Sequence, residues 1–423
     1  MTSVSTDFDI AVVGAGAAGI MAALTARQAG ANVCLLEKTE RLGKKILISG
    51  GGKCNLTNME IDHSNFHGSH PRFVMDVLRR FTNYDLIDWI ESLGVPTIVD
   101  ERNGKVWPEA MLSKVVMKAL ANTLFASGVK VQLNAALKGL VKSDEGVFEL
   151  ALANGSKLRS KTVILATGGR AAPHLGADGS GLAIAESLGH NIVETFPALV
   201  GLEANEQWMQ ELQGITCEDV ALGLLADGKE VASSRGSLLF THYGVNSPAI
   251  FRLSREVEPA LKDGKEVALS INFNPSEAPT QEAANKLLDE LLGSHTKKRT
   301  GTVLGYAFGA RSIGDAMARE IGFDPERRVR ELQKKHRDLL KVMLFKMRIG
   351  VLGTQGFERA EVMRGGVNVR EVDPRTFASK VVDGLFVCGE MLDIDGDVGG
   401  YNFQFAFGSG KSAAEAALDL VGK

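Results

Sequence analysis

Apolar and polar positions along the chain change character three times. From residue 9 to about residue 195, runs that suit strands alternate with runs that suit helices. Ile10–Val13 predicts a buried strand, Ala17 to about Ala29 a helix, and Leu35-Leu36 a second strand ending in an acid, Glu37. Phe73–Leu93 carries apolar residues at helical spacing. Val129–Leu133 and Val147–Leu152 read as strands, with Asn154-Gly155 as a hairpin turn before Lys157–Ser160. Lys161–Leu165 is a buried strand running into the glycine turn Ala166-Thr167-Gly168-Gly169. From about Pro197 to Asn274 the pattern shortens to strands and turns: Ala221–Leu225, the turn Ala226-Asp227-Gly228, Gly236–Thr241 and Glu266–Phe273. From Ser276 to about Met347 the chain predicts helices, one of them opened by Asp324-Pro325. After Gly350 strand and turn return. A run from Gly384 predicts a strand rejoining the first parallel sheet, and a helix continues to Lys423. The middle of the chain therefore reads as an insertion into a nucleotide-binding domain.

The first of these patterns contains chemistry. Asp9–Gly19 is a strand followed by G-x-G-x-x-G, with Gly14, Gly16 and Gly19 in the glycine places. Gly14 permits the tight turn, Gly16 lets backbone approach a pyrophosphate, and Gly19 lets helix and strand pack closely. The helix after it aims its first amides at phosphates. Glu37 stands about 20 residues on, where a carboxylate binds an adenosine ribose. An acid there favours FAD or NAD over NADP. No second such motif follows a strand later in the chain. Gly353-Thr-Gln-Gly356 lacks the spacing and the downstream acid, so a separate NAD(P)H domain is not expected.

Composition narrows the class. At 423 residues, two or three domains are expected. A net charge of −3 argues against a dedicated nucleic-acid or membrane binder, and nucleic acid is not an expected partner. Glu and Asp interleave the basic run Arg327–Lys341, which reads as a solvated helix side. Cys34, Cys54, Cys217 and Cys388 form no C-x-x-C pair, so neither a zinc site nor a redox dithiol is expected. Met1–Asp9 has no basic or apolar signal core, and no run reaches about 18 apolar residues. The expectation is a cytoplasmic protein with no membrane partner. Nothing in the sequence specifies an oligomeric state.

Five segments carry a family resemblance: Gly43–Asn58, Ala166–Gly169, Thr241-His-Tyr-Gly244, Arg364-Gly-Gly-Val367 and Gly389–Asn402. With the opening fingerprint and the strand Gly384–Glu390, they resemble the BaiN-like, YhiN-like NAD(P)/FAD-dependent oxidoreductases, some of which are called aminoacetone oxidases. The resemblance implies an α/β fold: a Rossmann-type FAD-binding domain (residues 1–195 and 355–423), an inserted β-barrel-like domain (196–275 and 343–354) and a small helical domain (276–342). It implies non-covalent FAD and a small-molecule substrate. By it, Gly14, Gly16, Ala17, Ala18 and Gly19 line the pyrophosphate, and Glu37 holds the ribose with Lys38 beside it. Lys45 and the loop containing Gly51, Gly52, Lys53, Cys54 and Asn55 approach pyrophosphate, ribityl chain and flavin. Leu137 offers backbone to the adenine, and Thr167 and Gly168 pass near the ADP half. Glu390, Asp393, Gly400, Tyr401, Asn402 and Phe403 reach ribityl chain and isoalloxazine. The chain departs from the family pattern at Ala171, Ala172, Ala177, Asp178, Ser180, Met363, Arg364 and Asn246-Ser247-Pro248, so the family's substrate is not carried over.

Catalytic candidates keep alternatives. His242 is a general acid or a structural histidine. Lys53 anchors an anionic substrate or the reduced flavin, or makes a loop contact. Tyr401 stacks on the flavin turn or donates a proton. Cys54 is redox-active or a small packing residue. Reduction of an activated C=C bond with NADH or NADPH as donor, oxidation of an amine or C–H bond with oxygen as acceptor, and modification of RNA all remain open.

Overall fold

A computed structural model describes residues 6–422; Met1–Ser5, where the sequence reading expected no signal core, and Lys423, the expected end of the last helix, lie outside the described residues. The chain divides into two compact units. One runs to Phe196 and resumes at Glu361, and the other is Pro197–Ala360.

The first unit is built on a seven-stranded sheet. Phe8–Val13 lies between Val33–Leu36 and Lys157–Leu165, parallel to both, and Lys130–Gln132 extends the edge beyond Val33–Leu36. All eight residues of Ile10–Val13 and Val33–Leu36 are buried, as parallel strands covered on both faces must be. The sequence reading split Lys157–Ser160 from Lys161–Leu165, but they form one nine-residue strand. Its first half pairs antiparallel with Phe148–Leu152 and its second half pairs parallel with Leu385–Val387. The C-terminal strand thus rejoins the parallel sheet. Helix Tyr401–Val421 then packs on helix Ala17–Gln28. Gly410 makes that crossing possible, because a Cβ there would lie 2.1 Å from the Ala18 carbonyl oxygen.

The helical spacing over Phe73–Leu93 is realised as two helices, Met75–Arg80 and Asn83–Ser92, separated at Thr82, whose hydroxyl accepts from the Asp85 amide while the Asp85 carboxylate accepts from the Thr82 amide. One local expectation fails. The expected glycine loop from Gly43 is helical at first, from Lys44, before it breaks at Ser49.

The second unit is a seven-stranded antiparallel path with Met347–Gly350 at one end and Gly353–Thr354 at the other. Only Val351 and Leu352 separate those two strands in sequence. A flat sheet would hold its edges about 29 Å apart, at about 4.8 Å per strand. The sheet therefore curls until its ends meet. The turn Ala226-Asp-Gly228 lies between two long strands, Thr216–Ala226 and Lys229–Thr241. Helices Gln281–Ser294, Thr300–Phe308, Arg311–Glu320 and Lys334–Lys346 bury Leu288, Leu304, Ile313 and Leu344 in the same core as Leu222, Leu269 and Ile349 of the sheet. The segment expected as a separate helical domain shares that core. Asp324-Pro325 opens a turn, not a helix: the Asp324 carboxylate accepts from Glu326 N at 2.9 Å and its carbonyl from Arg327 N at 3.1 Å. Among the described residues, no helix is long and apolar enough to cross a membrane.

Candidate functional site

Three glycines open the site, and the protein's own packing explains only two of them. A Cβ on Gly14 (φ +102°) would lie 2.4 Å from the Ala166 carbonyl oxygen, and one on Gly19 would lie 1.8 Å from that of Gly14. Gly16 has nothing within 4 Å of where a Cβ would stand. It starts helix Ala17–Gln28 without a side-chain cap. The amides of Ala17, Ala18 and Gly19 therefore begin a helix beside open space, an arrangement that suits a phosphate.

Glu37 closes the second strand. One carboxylate oxygen accepts from Ala15 N at 2.9 Å and the other from Thr39 N at 2.8 Å. Both oxygens are oriented, and each keeps acceptor capacity for a sugar hydroxyl. Lys38 turns to Asp178 at 2.6 Å. Burial opposes the charge on Asp178, but hydrogen bonds from Lys38 and Ser180 outweigh it and bring its pKa down to about 2. Leu137 begins the strand Leu137–Lys142. With Lys138, Ser180 and Ala183 it lines a groove of about 370 Å³. Thr167 and Gly168 (φ +75°) follow the central strand, and a Cβ on Gly181 would run into the Thr167 hydroxyl.

The glycine-rich segment coils tightly. Gly50, Gly51, Gly52 and Cys54 all take positive φ. A Cβ on Gly50 would meet Trp107, whereas Gly51 and Gly52 face open space like Gly16. Asn55 is 8% exposed, and its Oδ1 has no hydrogen-bond partner. An orphaned buried acceptor beside two unfilled glycines fits a ligand that brings its own donor. Lys45 Nζ meets Glu390 at 2.7 Å, and the other Glu390 oxygen accepts from Met363 N at 3.1 Å. Lys53 is exposed. Burial pushes the Cys54 thiol up to about 12, with a Ser49 hydrogen bond opposing. Cys54 is thus a buried, protonated thiol.

The C-terminal turn is held by its own side chains. The Asn402 amide spans Gly396, accepting from its N at 2.8 Å and donating to its O at 2.8 Å. The Asp393 carboxylate accepts from Ser69 N at 3.0 Å, which ties down a neighbouring turn. Gly400 (φ +96°) caps helix Tyr401–Val421, again without a side-chain cap, and a Cβ there would strike the Thr57 carbonyl. Tyr401 is buried edge-on against Phe66, and Phe403 leans on Phe407. His242 belongs to the other unit, exposed in the turn between Lys229–Thr241 and Gly244–Asn246, with its ring edge-on to Tyr243.

Sequence reasoning missed two features of the first unit. His67 Nε2 lies 2.8 Å from Asp397 in the C-terminal turn. Met363 is fully buried, and its sulfur would lie 2.9 Å from a Cβ on Gly169. Partners some 200 to 330 residues apart leave no periodic signal in a single chain.

Gly16, Gly51 and Gly52, the orphaned Asn55 and the two helix starts fit a dinucleotide such as FAD. The HI0933-like protein Rossmann domain family matches residues 8–416. The 3-dehydro-bile acid delta(4,6)-reductase of Clostridium scindens is 33% identical over 97% of this chain and 99% of its own length. A ribosomal RNA dihydrouridine synthase of Escherichia coli is 31% identical over 98% of each chain. Among solved structures, a 3-ketosteroid delta1-dehydrogenase from Sterolibacterium denitrificans covers 98% of this chain and 99% of its own, at 14% identity and a TM-score of 0.50, which speaks to the fold alone. The chain belongs to the HI0933-like family and, with its BaiN-like and YhiN-like relatives, is an FAD-dependent oxidoreductase.

Proposed function

We propose that this enzyme reduces a carbon–carbon double bond conjugated to a carbonyl, with NADH or NADPH as the electron donor, in the cytoplasm. The observation that carries the reading is the full-length relative whose name is that of a reductase. Bound FAD supplies a hydride at N5; the chain must supply binding, orientation and a proton. Lys45 offsets the charge of Glu390 beside the ribityl path. The uncapped start of Tyr401–Val421 offers amides to negative charge, and Asn402 holds the turn before it in place. Lys53, exposed on the glycine segment, is the candidate cation for an enolate oxygen, and Tyr401 is the candidate proton donor. His242, on the inserted unit, is a third candidate.

A small organic enone is the first candidate substrate. Uracil is the second, because its ring carries the same conjugation and two full-length relatives, from Escherichia coli and Haemophilus influenzae, are named ribosomal RNA dihydrouridine synthase. The test is anaerobic mixing of the yellow protein with NADH or NADPH. Bleaching of the flavin band, reversed by an added enone, is expected. A band that persists with both nucleotides would sink the reductase reading and favour an oxidase.

A further inference from the structure

One stretch of the inserted unit carries a surplus of basic charge. Between Lys297 and Arg348, fourteen Lys and Arg stand against six Asp and Glu. The backbone gathers two basic runs that lie about 30 residues apart. Arg299 and Arg328 face each other across an antiparallel bridge. Thr300 N donates to Arg327 O at 2.8 Å, Val329 N to Lys298 O at 3.1 Å and Arg330 N to Thr296 O at 3.0 Å. The inward-facing Thr300 and Val329 are fully buried. Lys297, Lys298, Arg299, Arg327, Arg328 and Arg330 are all exposed beside one another.

Their counter-charges are few. Glu326 takes Arg299 at 2.6 Å and Arg311 at 3.0 Å, and Glu331 takes Arg327 at 2.8 Å. Six cations sit on one two-stranded pairing whose backbones lie about 4.8 Å apart, less than the screening length of about 8 Å at physiological salt, so their mutual repulsion is not fully screened. Such crowding is relieved by a polyanion. Four of the six are Arg, whose planar forks bind phosphate oxygens in pairs and stack on bases. Tyr306 stands beside them, 51% exposed, with Lys298 Nζ 5.2 Å from its ring centre and His295 edge-on at 5.8 Å. Aromatic rings among cations are what unstacked bases bind.

We propose that the paired segments 296–300 and 327–330, together with Tyr306, form a docking face for folded RNA, the phosphates meeting the six cations and an unpaired base meeting the ring. The choice of RNA over other polyanions rests on the uracil reading above; the charge cluster does not.

The test uses the full-length flavoprotein and a fluorescein-labelled RNA hairpin of mixed sequence, read by anisotropy across a salt series. A DNA duplex of the same sequence and vesicles containing phosphatidylglycerol are the comparison probes. Binding of the hairpin with a log–log salt slope steeper than about −3 is expected, one phosphate contributing about −0.7 to −0.9. The variant carrying Lys297→Glu, Lys298→Glu and Arg330→Glu should bind about tenfold or more weakly and lose most of that slope. Tyr306→Ala should weaken hairpin binding while leaving the slope in place. Flavin content and bleaching by NAD(P)H should be unchanged in both variants. Absent hairpin binding, equal binding by wild type and triple variant, or stronger binding to the DNA duplex or the vesicles would overturn the proposal. Failure of bleaching with RNA binding intact would remove the reductase reading and leave the face standing.

Discussion

At the scale of single residues, the glycines of the fingerprint separate into two kinds. Gly19 is required by the fold, because a methyl group there would overlap the Gly14 carbonyl oxygen at 1.8 Å. Gly16 has ordinary extended dihedrals (φ −81°, ψ −168°) and open space beside it. Gly16→Ala should therefore fold with a midpoint close to wild type yet leave the column colourless, because the methyl group occupies room meant for the pyrophosphate. Gly19→Ala should lose about 1–3 kcal/mol, the usual cost of overpacking. Thermal melts and the flavin released on denaturation measure both. A yellow Gly16→Ala protein with full flavin content would mean that the pyrophosphate lies elsewhere. The fingerprint was legible because each glycine has a local reason. The role of Asn55 was expected from the resemblance, but its orphaned oxygen is visible only once the surrounding backbone is in place.

At the scale of elements, the two helices that start at the site are locked to each other. Gly410 lets Tyr401–Val421 approach Ala18, and Gly389 lets the preceding turn do the same, a Cβ there standing 3.1 Å from the Ala18 Cβ. Gly410→Ala pushes against backbone that has no flexible end to give way. A loss of about 1–3 kcal/mol is expected. FAD affinity should weaken with it, because the uncapped starts of both helices move. Gly293→Ala, at an exposed position of helix Gln281–Ser294 with nothing near its Cβ position, is the control, and should gain up to about 1 kcal/mol without touching FAD affinity. Urea titrations and flavin fluorescence read the two effects. Elements with a strong local pattern, such as the first strand, read from Ile10 and observed from Phe8, and helix Ala17–Gln28, were legible within two residues. The break at Thr82 was not, because a capping pair outweighed an uninterrupted apolar period. Nor was the turn at Asp324-Pro325, where pairing with Lys298–Thr300 wins over the helix-start signal.

At the scale of the whole molecule, the chain leaves and re-enters its first unit on neighbouring strands. Ile192–Ala198 pairs with Val362–Val367, and a Cβ on Gly365 would lie 2.1 Å from the Glu194 carbonyl oxygen. Change of pattern near Pro197 made the insertion legible. That its strands and helices share one core was not legible, since their contacts join residues far apart in the chain. Gly16, Glu37, Gly51, Gly52, Asn55, Glu390 and Asn402 all belong to the first unit. Paired strands lie about 4.8 Å apart, so a few Gly and Ser residues can replace 199–359. The shortened chain should bind FAD on its own, and residues 197–360 alone should fold with a cooperative transition around their own buried cluster. Flavin absorbance of the first piece and a calorimetric or urea transition of the second check this. A shortened chain that folds but stays colourless would show that the cofactor draws on the inserted unit, and the assignment of its cradle to the first unit alone would be wrong.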